Sequence, residues 1–520
     1  MDIAATGLAV LAFVILLLHV LTHFPFFDEI LHAHYLWLFS SGLKADVDFL
    51  CTYPALGYFL TLPFMRLFPD SAFLFLALRC LSVVIAVLIG IIFYLHGRRS
   101  SQYRMSALLP YLLVGTAPAI GAFFAEYSTD HMAALAAFGA MFLFFRPPRL
   151  WSVAVASALS IISIAIMPKY PVTLFFGMLG YLAAHYLKYR RASSLLLAST
   201  AGACAALLGI WLLFTLNNTS LVDNFRYSDL LQMRRVFTNR YFRNLPLLQP
   251  LIVSVMEFLI YNPVIGLSVA LGVSGWARRS WRNADSTALG GGGILIGVLI
   301  TSLMTKNNLS QYIAPQVLCL SLFAPFAFSL FKSDAAAKAL SLTLVAAALV
   351  TLSPRLGSVA AEFRETPLNA RGVTPTLQRV LGRIVMGPIG IVALNDYDKL
   401  LKIIPKNERV VAVWPVHPIF RRDVTPIAFD EYPSYSVSLP ADDRLKGFFD
   451  PEYFLQTLEK NPPAMISLER LEMNYPPGWK EVAGDFLDRH GDLYVTCETE
   501  LFSFSIRKDL AGKCNATDNH

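Results

Sequence analysis

The chain has 520 residues, of which 55% are hydrophobic and only 15% charged, and its mean hydropathy is +0.53. That balance excludes a soluble globule with a polar surface and places the chain in a bilayer. Its 43 basic residues against 36 acidic ones give a net charge of +7, but they are spread between hydrophobic segments and form no basic tail, which argues against nucleic acid as a partner.

A span of about 30 Å of hydrocarbon needs about 20 apolar residues. About eleven such runs follow one another, near 3–21, 71–95, 106–124, 132–145, 151–167, 172–187, 195–216, 251–276, 294–304, 312–331 and 335–352, the middle ones short. The first run lacks a basic leader and a small-residue cleavage site, so it reads as a membrane helix and not as a signal peptide. Alternate loops carry the basic residues: Arg98, Arg99 and Arg104, then Arg146 and Arg149, then Lys188, Arg190 and Arg191, then Arg278, Arg279 and Arg282, then Lys332 and Lys338. That side is cytoplasmic. The opposite side receives a first loop at 22–70, a second at 217–250 and everything after Ser353. The expected organisation is a transmembrane part at 1–353, with its amino terminus inside, and an extracytoplasmic part at 354–520.

From 354 onward the chain changes to charged residues, prolines and short mixed elements at 409–413, 464–468 and 493–506, which reads as a small α/β domain ending in a hairpin around 498–500. None of the six cysteines shows CxxC spacing. Cys80, Cys204 and Cys319 sit in apolar runs and read as small core residues, whereas Cys497 and Cys514 can pair in an oxidising compartment. There is no internal repeat, and the glycines at 290–293 precede a membrane run.

The first outer loop opens with Phe26, Phe27, Asp28 and Glu29 and continues through His32, His34, Trp37, Gly42, Asp46, Asp48, Tyr53, Pro54 and Tyr58. Two readings of the acidic pair stand side by side. A carboxylate at the membrane surface beneath aromatic neighbours is partly desolvated and suited to act as a base. Acids also favour a helix start, so the pair equally reads as the cap of an amphipathic helix. His32 and His34, two residues apart, do not share a helix face and read as hydrogen-bonding histidines; no metal set is indicated. Phosphate loops of the nucleotide-binding kind, Ser-His-Asp order and HExxH are missing from any usable context.

Arg79, Glu126, Asp130, Lys169, Glu257 and Lys306 all fall toward the outer ends of their segments. Ionisable residues inside or beside apolar runs are costly and usually functional, and six on one leaflet favour a shared outer cavity over snorkelling. The second outer loop carries Arg226, Arg234, Arg235, Arg240 and Arg243 against the positive-inside expectation. An anionic partner is expected there, either a lipid-borne phosphate gripped by the guanidinium fork or anionic headgroups in general.

Helix one ending in FFDE, followed by AHYLWLFSSG, DVDF and TYPALGYFL, resembles the first loop of the GT-C superfamily of membrane glycosyltransferases, nearest the branch of the aminoarabinose transferases of lipid A and the protein mannosyltransferases. The resemblance covers about two thirds of the chain in outline, with sharp motifs confined to this loop and a few later spots. It implies a polytopic α-helical GT-C fold with Asp28 as catalytic base and with Asp48, Phe49, Tyr53 and Pro54 matching downstream elements. Asp130, Lys169 and Tyr170 are similar to positions facing the same cavity, and Tyr312 with Pro315 resembles the opening of a late helix. Gln311 stands where arginine is common, with Lys306 upstream.

The expected activity is therefore inverting sugar transfer, of a hexose or a pentose, from a polyprenyl-phosphate donor to a hydroxyl of a glycan, glycolipid or protein acceptor, at the outer face of a bacterial inner membrane among its lipids. Asp28 would be the base. Glu29, Asp48, Tyr53 and Asp130 would bind acceptor or sugar, and Lys169, Arg226, Arg234, Arg235, Lys306 and Tyr312 the donor phosphate. A transporter or flippase of lipid-linked sugar is the rival of another class, although such proteins tend to show repeated halves and mid-membrane broken helices. A glycan polymerase or ligase is the second rival.

Overall fold

The structure, a computed structural model, describes residues 27–45, 53–67, 73–100, 123–124, 127–147, 149–190, 192–225, 263–281, 285–304, 310–331, 399–405, 408–412, 417–423, 451–468, 478–498 and 503–514, with scattered positions between them and, at a few helix positions, the backbone alone. In chain order the helices are α1 (Phe27–Ser40), α2 (Leu56–Leu67), α3 (Phe73–Ser100), α4 (Asp130–Phe144), α5 (Leu150–Ile166), α6 (Pro171–Tyr189), α7 (Ala192–Leu216) and α8 (Leu221–Asn224). Then come α9 (Pro263–Ser280), α10 (Ser286–Met304), α11 (Ser310–Ser321), a 3-10 helix (Ala324–Leu330), α12 (Pro451–Lys460) and α13 (Trp479–Arg489). The strands are β1 (Arg409–Val411), β2 (Arg422–Asp423), β3 (Met465–Ile466), β4 (Tyr494–Glu498) and β5 (Ser503–Arg507). The predicted first apolar run and most of 106–124 lie outside the described residues. The chain divides into two compact units.

Unit one comprises Met1–Leu21, Arg79–Leu216 and Gln232–Ala361. Among the described residues two helices are long and apolar enough to cross a membrane alone, Ala77–Ser100 and Ser193–Leu216, with shorter apolar helices such as α4 and α5 beside them. The outer side of α7 bears Leu196, Leu197, Leu207, Leu208, Trp211 and Leu216, all exposed, which suits a hydrocarbon solvent. Cys204 and Cys80 are also exposed on their helices, so of the three cysteines expected in the core only Cys319 is buried; an apolar run that meets lipid has an outward face as apolar as its inward one. Short hydrogen bonds link neighbouring helices, Ser163 Oγ donating to the Ala133 carbonyl at 2.8 Å and Ser157 Oγ lying 2.8 Å from Ser199 Oγ.

Helix α10 begins at Ser286 and so takes in the glycines at 290–293, eight residues before the run expected from hydropathy. The reason is close packing on α6. A Cβ at Gly180 would collide with the Leu289 carbonyl and one at Gly293 with the Phe176 carbonyl, so only glycine lets the two backbones approach. Three helix ends repeat another device, an aromatic residue followed four positions later by an arginine over its ring: Tyr94 and Arg98 in α3, Phe142 and Arg146 at α4, Tyr186 and Arg190 at α6.

Unit two comprises Thr22–Leu78, Asn217–Leu231 and Glu362–His520. Its α1 is not the amphipathic helix that the acidic start suggested, because positions 29–39 are buried all round. A mixed five-stranded sheet has the order β2-β1-β3-β5-β4, with β1 parallel to β2 and to β3, and β5 antiparallel to β3 and β4. The β4–β5 pair runs from Tyr494 opposite Arg507 to Glu498 opposite Ser503, at the place expected for the terminal hairpin. Beside these strands α12 and α13 pack through Phe454 stacked on Trp479 at 4.2 Å. A disulfide joins Cys497 of β4 to Cys514. Arg507 binds Glu408 at 2.9 Å and Asp509 at 2.8 Å, and its hydrogen bonds hold the Asp509 carboxyl below its ordinary value.

Candidate active site

In unit two the first turn of α1 contains Asp28 and Glu29, where orphan N–H groups and the helix dipole favour negative charge. Glu29 is fully buried. Asp28 is placed by its backbone as the second residue of the helix; its side chain lies outside the description. One turn on, His32 Nδ1 is 2.7 Å from the Tyr58 hydroxyl, and its ring lies 4.6 Å from that of Tyr53. Both tyrosines are buried, so Tyr53 is packed against the histidine that follows the acidic pair.

His34 turns elsewhere. Its Nδ1–H donates to the Ile419 carbonyl at 2.9 Å, which fixes the tautomer because a carbonyl only accepts, and its ring meets the edge of His417 at 4.5 Å. The two imidazoles serve different neighbours, as positions two apart on a helix require. Both are hydrogen-bonded, in line with the sequence reading.

Two further bonds join the segment after α7 to the first loop. The Ala55 N–H donates to Asn224 Oδ1 at 2.8 Å, and Ser228 Oγ donates to the Cys51 carbonyl at 2.6 Å. Asp48, by contrast, is exposed, and its carboxylate accepts from the Lys44 N–H at 2.8 Å while its own N–H donates back to the Lys44 carbonyl at 2.9 Å. That carboxylate is engaged in closing its own turn.

In unit one Asp130, the first residue of α4, forms an ion pair with Lys169 from the turn before α6, with 6% and 8% of the two side chains exposed. Asp130 Oδ1, Thr129 Oγ1 and the Tyr170 hydroxyl are buried with no hydrogen-bond partner among the described residues. Next to the pair, His131 is held between Ser82 Oγ at 3.0 Å and the Phe123 carbonyl. Arg79 of α3 is fully buried. Charges buried at this depth are expensive and signal function. Of the remaining expected residues, Arg226, Arg234, Arg235, Lys306, Glu126 and Glu257 lie outside the described residues, and Tyr312 is placed in α11 by its backbone alone.

No protein-family model matches the sequence, and a comparison with curated proteins finds no match. Among solved structures, ArnT from Cupriavidus metallidurans bound to undecaprenyl phosphate is similar over 97% of this chain and 97% of that one, with 14% identity and a TM-score of 0.59. The same protein in the apo state is similar over 97% and 98%, with 15% identity and a TM-score of 0.54. The chain shares the GT-C fold of these structures.

Several buried residues escaped sequence reasoning. Asn224 and Ser228 flank Arg226 in a loop noticed only for its arginines, and His417 lies in a segment with no spacing motif. A polar residue on either side of a suspected ligand is the one local signal that points to Asn224 and Ser228. Nothing local marks His417, because its neighbour His34 is hundreds of positions away in the chain.

Proposed function

We propose that the chain is an inverting glycosyltransferase that moves a sugar from a polyprenyl-phosphate donor to an acceptor hydroxyl at the outer face of the membrane. The observation that carries the reading is the acidic pair Asp28 and Glu29 opening a buried helix in a fold whose solved example was crystallised with undecaprenyl phosphate. Asp28 takes the acceptor's proton as the acceptor oxygen forms its bond to the anomeric carbon, and the donor phosphate leaves from the opposite face with the electrons of the broken bond. Glu29 orients the acceptor or the sugar, since Asp48 is spent on its own turn. Tyr53 and Asp130 contribute sugar or acceptor contacts. Arg226, Arg234, Arg235, Lys306 and Tyr312 receive the phosphate, and Lys169, once freed from Asp130, adds positive charge as the phosphate leaves.

About eleven spans, with the amino terminus inside and a carboxyl-terminal α/β domain outside, complete the proposed topology. Two observations support it. The three stretches of unit two overlap those that loop charge assigns to the outer side, although 232–250 falls in unit one and 71–78 in unit two, and the Cys497–Cys514 disulfide suits an oxidising compartment. The length of the likeness to ArnT favours transfer over the transporter reading.

The test is Asp28→Asn. Turnover with a radiolabelled polyprenyl-phosphate sugar should fall by about 10²- to 10⁴-fold while undecaprenyl phosphate still binds, because asparagine keeps the shape of the carboxylate and loses its basicity. A variant as active as wild type would leave Asp28 a helix cap, for which asparagine serves nearly as well.

A further inference from the structure

Within unit one the carboxyl-terminal turns of α3 and α9 are joined, and both carry arginine pairs: α3 closes on Arg98, Arg99 and Ser100, and α9 on Arg278, Arg279 and Ser280. The final carbonyls of a helix have no partner within it, and one of those of α3 is met from the other helix, Arg279 Nη1 donating to the Ser100 carbonyl at 3.3 Å. The same guanidinium lies 5.8 Å from the centre of the Phe326 ring. That ring belongs to a segment packed close on α9, where a Cβ at Gly275 would collide with the Phe326 carbonyl. The two helix ends are thus fixed to each other.

All four arginines are exposed, and among the described residues none of them pairs with a carboxylate. Asp285, which precedes α10, is engaged in capping that helix, its Oδ1 accepting from the Ala288 N–H at 2.9 Å. Four like charges on two joined helix ends repel one another unless an anion lies among them. Directly after them stands Trp281, 94% exposed. An indole so bare is out of place in water, whereas at the headgroup level of a bilayer its ring meets acyl chains and its N–H meets polar groups. One partner supplies both the anion and the amphipathic surroundings: a phospholipid with a negatively charged headgroup.

We propose that Arg98, Arg99, Arg278 and Arg279, flanked by Trp281, form a binding site for the phosphate of an anionic phospholipid. The proposal rests on the chain lying in a bilayer, and under the topology proposed above the leaflet is the inner one. It concerns a second lipid phosphate, away from the outer face where the donor is read. Guanidinium groups grip phosphate through paired N–H donors, and basic pockets between helix ends at a membrane surface suit such headgroups.

The experiment incorporates the purified full chain into vesicles of phosphatidylglycerol and phosphatidylcholine in equal parts and reads the lipids it retains by native mass spectrometry, with melting temperature as a check on folding. Wild type should retain phosphatidylglycerol over phosphatidylcholine by about 10-fold or more, and Arg99→Gln with Arg278→Gln should lower its retention about 10-fold. Arg146→Gln with Arg190→Gln, which removes the same charge from the ends of α4 and α6, should lower it less than about threefold. Equal losses from the two double variants would mean headgroup attraction in general and overturn the site, and so would a wild type without preference between the two lipids. Undecaprenyl phosphate should bind the Arg99→Gln, Arg278→Gln variant as it binds wild type; a parallel loss would make these arginines donor ligands and sink the proposal. A chain that retains neither phospholipid would refute the bilayer reading itself. Should the double variant fold poorly, Trp281→Ala, at a side chain that is almost wholly exposed, carries the test with an expected loss of about threefold, and unchanged retention there counts against the site.

Discussion

Asp130 and Lys169 in unit one are two full charges that neutralise each other in a buried setting, whereas the polar side chains around α1 in unit two work largely through neutral bonds: His32 to Tyr58, His34 to Ile419, Asn224 to Ala55, Ser228 to Cys51. The difference has an energetic meaning. A buried ion pair contributes little net stability compared with an apolar pair of the same size, yet removing one partner is severe because the other charge is stranded. Neutral hydrogen bonds each contribute modestly and fail one at a time. The Asp130–Lys169 pair is thus broken by a single substitution and rescued by a double one, whereas these neutral bonds fail in small steps.

Three measurements sharpen or break that contrast, in order of expected effect. Asp130→Ala should destabilise the folded chain by about 3–5 kcal/mol, read as a lower melting temperature in detergent, and the double variant Asp130→Leu with Lys169→Met should recover most of it. If the double variant melts no higher than the single one, the pair has a net stabilising role and the contrast fails. In unit two the disulfide is a covalent constraint beside those bonds. Closing a separation of 17 residues, it should account for about 3 kcal/mol, so Cys497→Ser with Cys514→Ser should lower the melting transition of the strands around it by that amount. The smallest effect is expected for His34→Phe, which keeps an aromatic ring beside His417 but removes the donor to the Ile419 carbonyl, at a cost of about 1–3 kcal/mol. A larger loss than that from removing the disulfide would make this histidine a principal link between α1 and residues 417–420.

Much of the membrane part was legible in the sequence, since hydropathy and helix breakers are local properties. The helices α4, α5, α6 and α7 fall within a few residues of the runs at 132–145, 151–167, 172–187 and 195–216. Helix α10 was legible only from Ile294 on, because glycines read as a break until the helix that needs their bareness is in place. In the site, the sequence determined that Asp28 and Glu29 open an element and that Asp130 and Lys169 are charges in costly places, because each statement concerns a residue and its near neighbours. Only the tertiary structure decided that Asp130 faces Lys169, that α1 is buried all round, and that Asn224 and His417 serve the first loop. Asn224 lies 169 positions from Ala55, and Ile419 lies 385 from His34. At such separations a buried polar group is satisfied by whatever the fold brings within about 3 Å, and no local pattern of residue types encodes that distance.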